Sequence, residues 1–398
     1  VTIRDDAAGI AAGMAELRHA IHREPELGLD LPKTQRKVLA ALGGLPLEVT
    51  TGRELTSVTA VLRGAHPGPV VLLRADMDAL PVTEATGLPY AAAGGVMHAC
   101  GHDLHTAMLA GAARLLCGRR DELGGSVIFM FQPGEEGHHG ARRMIDEGVL
   151  EAAGERPGHA YGLHVVSDRL RNGSFATRPG PMLAATDTFD VTVKGRGGHA
   201  SVPHRNADPV PAICEMVTAL QTMVTRRFDV FDPVVITVGS LHAGTARNVI
   251  PDEATFNATV RSYSEEARSR LEEESVRLVR DIALGHGLEA DASYVRGYPV
   301  TVNDAAEAAF AAAAVSDVFG AGRAVTMAHP LTGGEDFSYV LEQVPGAFVM
   351  LGACPPDADP RTAPSNHSAV AVFDDGVLAD GAALYAELAL RRLAAAAR

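Results

Sequence analysis

Apolar positions along the chain follow two periods, and the change between them divides it. Residues 70–75 read Val-Val-Leu-Leu-Arg-Ala, a nearly continuous apolar run that predicts a strand covered on both faces. Residues 127–131 and 159–166 read the same way. Residues 104–117 and 140–147 carry apolar side chains at helical spacing. Residues 7–23 predict an amphipathic helix capped by Asp5 or Asp6. Strands alternating with helices predict an α/β layer fold.

Near residue 184 the pattern becomes strict alternation. Residues 188–194 predict a half-buried strand, 208–227 a helix, 234–240 and 253–262 two strands, 264–285 a charged amphipathic helix and 288–295 a last strand. The order β-α-β-β-α-β is that of a ferredoxin-like sandwich. At roughly 110 residues it has the size of an inserted domain. The α/β pattern then returns, with a helix at 304–318, a strand at 347–351 and a helix at 376–395. The expected organisation is a catalytic domain in two segments, 1–184 and 297–398, around an insertion at 185–296.

The 398 residues suffice for two domains, and 46% hydrophobic with 21% charged residues is an ordinary globular balance. A net charge of -14 argues against a nucleic-acid partner, which needs a basic face. No apolar run is long enough to span a membrane. The first residues lack the pattern of a secretory signal, so a cytoplasmic enzyme is expected. Cys100, Cys117, Cys214 and Cys354 are too widely spaced to suggest a disulfide framework.

Two segments crowd groups that bind metals or move protons. Glu135 and Glu136 follow the apolar run at 126–131 and are bracketed by Gly134 and Gly137. Upstream, His98, Cys100, His102, Asp103 and His105 fall within eight residues. A dinuclear metal site needs several deprotonated side chains converging from different strand ends, and the candidates are Cys100, His102, Glu136, His164 and His367. Gly101 between the first two permits unusual dihedrals. Paired glutamates allow a division of labour, because a carboxylate held on a cation is too acidic to serve as base.

Six ordered motifs then carry a resemblance over nearly the whole chain: Arg74-Ala-Asp-Met-Asp-Ala-Leu-Pro81, Met97-His-Ala-Cys-Gly-His-Asp-Leu-His105, Gln132-Pro-Gly-Glu-Glu136, Gly195-Arg-Gly-Gly-His-Ala-Ser201, Thr245-Ala-Arg-Asn-Val-Ile-Pro251 and Gly333-Gly-Glu-Asp-Phe337. The chain resembles the amidohydrolase branch of the metallo-aminoacylase and carboxypeptidase superfamily, with its hippurate hydrolases, N-acyl-L-amino acid amidohydrolases and indole-acetyl-amino acid hydrolases. The resemblance implies a zinc-peptidase-like catalytic domain with a ferredoxin-like lid and dimerisation domain. It implies two divalent ions held by Cys100, His102, Glu136, His164 and His367. Zinc or manganese leads, with cobalt and nickel open, and the thiolate favours zinc over magnesium or calcium. Glu135 becomes general base, Asp76 orients a ligand, and His199 stabilises the oxyanion in a neighbouring subunit's site. Asn248, Arg247, Gly333 and Gly334 become substrate contacts. The expected substrate is a small N-acyl amino acid, and the expected assembly a homodimer, or a tetramer, through the lid.

The chain departs from the family pattern at His138 and His139, where glycines are commoner, and at Ala258, where glycine often stands. Within the superfamily, a dipeptidase or carboxypeptidase and an auxin-conjugate hydrolase are the alternatives. Outside it, Cys100 could be a nucleophile with His102 or His105 as base, which leaves the glutamates without a task. The intact Glu135 and all five candidate ligands argue against a non-catalytic binding protein.

Overall fold

The computed structural model describes residues 2–396. The chain divides into two compact units. The first comprises Val1–Met182, Val302–His329 and Tyr339–Arg398. Its centre is an eight-stranded mixed sheet, in the spatial order Glu48–Thr51, Val58–Arg63, Gly124–Gln132, His66–Asp76, His159–Val166, Gly346–Gly352, Phe175–Thr177 and Ala324–Thr326. Successive side chains on a strand face opposite ways. Val70, Val71, Leu72, Leu73, Arg74 and Ala75 are all buried, so both faces are covered. The His102–Cys117, Ala305–Phe319 and Leu378–Ala396 helices pack against these strands. Truncating a fully buried side chain such as Phe129 would cost about 3–5 kcal/mol, from lost transfer energy and the cavity left behind.

The four central strands are parallel. Asp76 lies opposite Gln132, Arg74 opposite Gly162, and Val166 opposite Gly352. Their carboxyl ends therefore share one edge, where open α/β sheets place their chemistry.

The predicted helix at 7–23 is two helices, Ile3–Gly9 and Ala11–His22. Thr2, not Asp5 or Asp6, is the first cap. Its side chain accepts from the Asp5 amide while the Asp5 carboxylate accepts from the Thr2 amide, a reciprocal capping box. At Ile10, with φ -108° and ψ 3°, the helix breaks. The Pro32–Leu42 helix and the Val58–Arg63 strand went unforeseen.

The second unit comprises Leu183–Thr301 and Pro330–Ser338. Its four-stranded antiparallel sheet runs Val235–Ala243, Glu253–Ser262, Ala185–Lys194, Glu289–Tyr298. The order is that of a ferredoxin-like sandwich. Burial alternates along Ala185–Lys194, as expected of a sheet with one covered face. Phe189, Val191, Val193 and Phe256 meet the apolar faces of the Pro209–Arg227 and Glu265–Gly285 helices in a core of its own. Among the described residues, no helix is long and apolar enough to cross a membrane.

Candidate metal centre

All five candidate ligands lie in the first unit, on the carboxyl edge of its sheet or in loops leaving it. Cys100 Sγ is 3.5 Å from His164 Nε2 and 3.2 Å from His367 Nε2. His367 Nε2 is 3.3 Å from Glu136 Oε1, and His102 Nε2 is 4.0 Å from the same oxygen. Two triads result, Cys100–His102–His164 and Cys100–Glu136–His367, each with donor atoms within 4.8 Å of one another. Cys100 belongs to both.

The surroundings set which lone pairs face inward. His164 Nδ1 donates to the Val165 carbonyl at 2.8 Å, leaving Nε2 as the lone pair towards Cys100. The Val165 amide donates to His105 Nε2 at 2.8 Å, so the proton of that ring sits on Nδ1 and is donated to Asp76 at 2.5 Å. Burial pushes the His105 pKa down to about 4, in keeping with a neutral ring. Asp76 also accepts from Arg74 Nη1 at 2.7 Å, and His102 Nε2 stands 3.7 Å away. Arg74, His102 and His105 together overcome burial and hold the Asp76 carboxyl well below the usual carboxylate range.

Asp78 grips the glutamate pair from behind. Its two oxygens accept from the Glu135 and Glu136 amides, at 2.9 and 3.0 Å. Gly134 and Gly137, at φ +74° and +84°, supply the turns on either side of the pair. Gly101 has φ +81°, and a methyl group there would lie 2.4 Å from Val165 Cγ2. Glycine is thus required both by conformation and by the close passage of the strand that bears His164.

His367 sits on a loop with φ +70°. Its amide donates to the Ala99 carbonyl at 2.8 Å. Asn366 completes the brace. Its amide nitrogen donates to the Val165 carbonyl at 3.0 Å and the Cys100 carbonyl at 3.3 Å, and its oxygen accepts from the Ser167 amide at 2.9 Å. Arg74 and Asn366 had no assigned role from sequence, and His105 was named only among the crowded donors and as a possible base to Cys100. His105 and Asn366 act across segments distant in the chain, so their spacing carries no signal, whereas Arg74 reaches Asp76 only two positions on.

The residues present suit cations. Both ring nitrogens of His102 and Oε1 of Glu136 are buried without a hydrogen-bond partner. Lone pairs withdrawn from water this way are costly unless something positive meets them. Burial opposes ionisation of Cys100, yet His164, His102 and His367 overcome it and hold the thiol well below its usual range. Burial and that thiolate push the Glu136 carboxyl upwards. Contacts with Cys100 and Glu136 raise His367 to about 10. A thiolate and a carboxylate thus compete for positive charge in one buried space.

The remaining candidates lie in the second unit. His199 is exposed, pairs in a short ribbon with Val249, and accepts the Ser201 hydroxyl at 2.8 Å on Nδ1. The Asn248 carbonyl accepts from the Ala200 amide at 3.1 Å, so Asn248 adjoins the same ribbon. Arg247 is exposed. The Gly333 carbonyl accepts from the Ala184 amide at 3.0 Å, and a methyl group on Gly334 would lie 2.3 Å from Thr186 Cγ2. His138 is exposed, whereas His139 Nδ1 meets the Tyr339 hydroxyl at 2.9 Å.

Comparison with known proteins shows the family. The family model described as peptidase family M20/M25/M40 matches residues 72–391. An N-acetylcysteine deacetylase of Bacillus subtilis is 38% identical over 341 residues, covering 85% of this chain and 88% of the relative. Thermostable carboxypeptidase 2 of Saccharolobus solfataricus is 36% identical over 394 residues, covering 98% of each. A crystal structure from Bacillus subtilis, described as a dinuclear metal-binding peptidase of the M20 family, superposes with a TM-score of 0.83 at 33% identity, covering 97% of this chain and 99% of that one. By motif, by fold and by similarity along nearly its whole length, the chain belongs to peptidase family M20/M25/M40, in its amidohydrolase branch, and is a hydrolase.

Proposed function

We propose that the chain hydrolyses the amide bond of N-acyl-L-amino acids, with a pair of divalent cations held by Cys100, His102, Glu136, His164 and His367. The observation that carries this is the pair of donor triads sharing Cys100, with unpartnered buried lone pairs on His102 and Glu136. Bound there, two cations would polarise the scissile carbonyl and make water acidic enough to deprotonate near neutral pH. Glu135, buried beside Glu136, takes the proton of the attacking water and passes it to the departing amine. Asp78 holds both backbone amides, so the two carboxylates are fixed for different tasks. Asp76 keeps His105 oriented by a hydrogen bond and places its charge 3.7 Å from His102 Nε2. The soft Cys100 ligand favours zinc, and similarity to the family keeps manganese beside it.

The second unit is read as lid and dimerisation domain. His199, from a partner subunit, would donate to the oxyanion, Asn248 would bind substrate from the lid, and Arg247, Gly333 and Gly334 would meet the substrate carboxylate. The resemblance to a deacetylase supports an acyl-amino acid substrate, and that to a carboxypeptidase keeps peptide-like amides as the second reading. A panel of N-acetyl, N-benzoyl and N-indole-acetyl amino acids beside dipeptides, assayed with zinc, manganese and cobalt, tests both. Full amidase activity after exhaustive chelation would reject the metal mechanism and return Cys100 as a nucleophile.

A further inference from the structure

His22 lies outside the metal centre yet touches two segments that brace its ligands. It follows Arg18 by one turn of the Ala11–His22 helix, so the two share a face. Both are buried, Arg18 at 0% and His22 at 1% exposure. Arg18 Nε and His22 Nδ1 converge on one oxygen, Asp103 Oδ2, at 2.7 and 2.8 Å. Asp103 follows His102 directly and occupies the first turn of the His102–Cys117 helix.

The other ring nitrogen, His22 Nε2, lies 3.2 and 3.1 Å from the two oxygens of Glu84. That carboxylate also accepts from the Ala92 amide at 2.7 Å and from the Thr86 hydroxyl, so it organises its own loop. The next residue, Ala85, donates its amide to the Ala369 carbonyl at 2.8 Å, two residues past His367. One imidazole therefore joins the helix that begins with His102 to a loop that braces the His367 segment. Carboxylates on both ring nitrogens require both N–H groups to donate, as only the imidazolium can.

Such a cluster is a poor way to anchor a helix, since apolar side chains of the same volume do it without desolvating charges. It has directional hydrogen bonds that apolar packing lacks, and metal ligands tolerate only small errors of placement. We infer that His22 is a positioning residue for the metal centre, setting the spacing between the His102 and His367 segments through Asp103 and Glu84. The inference rests on the reading of those two histidines as cation ligands.

Three substitutions test it. His22→Asn keeps a donor where Nδ1 was, His22→Gln keeps one near Nε2, and His22→Ala keeps neither. Zinc dissociation constants would be measured by competition with a chromophoric chelator, and cobalt(II) spectra recorded for thiolate charge-transfer and d–d bands. The metal-free melting temperature is followed separately. His22→Ala should weaken at least one zinc about 10–100-fold and shift the cobalt bands, and the Asn and Gln variants should each recover part of the loss. If all soluble variants hold both ions within about twofold of wild type, with unchanged cobalt spectra, His22 merely stabilises the fold and the inference fails. Should His22→Ala not fold, the Asn and Gln proteins decide by the same criterion. A wild-type protein that binds no zinc removes the metal centre itself, and the inference with it.

Discussion

Glu135 and Glu136 share a backbone grip, and on the proposed division of roles their loss should differ. Glu135→Gln should retain both ions while turnover falls about 10²–10⁴-fold. Glu136→Gln should lose metal as well, read by elemental analysis after gel filtration. Undiminished turnover in Glu135→Gln would remove the assignment of the base. His98 offers a test of a shift led by burial. It is 1% exposed, neither ring nitrogen has a hydrogen-bond partner, and burial pushes its pKa down from 6.5 to about 3. The unfolded chain therefore takes up a proton first as pH falls. The stability linked to this difference is whole above about pH 6.5 and is lost progressively on the way to pH 3. His98→Leu should flatten the fall in unfolding free energy between pH 7 and 4, measured by urea titration of metal-free protein. An unchanged slope would show that His98 titrates normally.

At the scale of elements, the turn before the His102–Cys117 helix sets where two of the proposed ligands, Cys100 and His102, point. Gly101→Ala must hold a left-handed residue and also displace Val165. The expected cost is on the order of 2 kcal/mol of stability, with weaker zinc binding beside it. Circular dichroism melts and zinc competition check the two effects, and a variant with wild-type values in both would show that the strand yields freely. Element prediction succeeded where period and length were decisive. The strands His159–Val166 and Glu253–Ser262 have the predicted limits. It failed where a local cap outweighed the period. Thr2 and Asp5 start a short helix ahead of the expected one, and the break at Ile10 separates it from Ala11–His22, so one expected helix became two. The Pro32–Leu42 helix begins with proline at its first position, a start signal legible in the sequence.

For the whole molecule, the two units have separate apolar cores, centred on residues such as Phe129 and Phe131 in one and Phe189 and Phe256 in the other. The proposed metal ligands all belong to the first. Scanning calorimetry should therefore show chelation lowering one transition, by about 5–10 °C, and leaving the second in place. A single transition that moves as one would mean the units unfold together. The sequence by itself determined the two sheet types, the β-α-β-β-α-β order and the inventory of donors, because hydrophobic period and residue chemistry are local properties. The tertiary structure alone decided which atoms meet. Cys100 reaches His367 across 267 positions, and Arg18 reaches Asp103 across 85. The tautomers of His105 and His164, the brace by Asn366 and the bridge by His22 exist only once the strands are in register. No local pattern encodes them, since the free energy that selects these contacts comes from packing distant segments together.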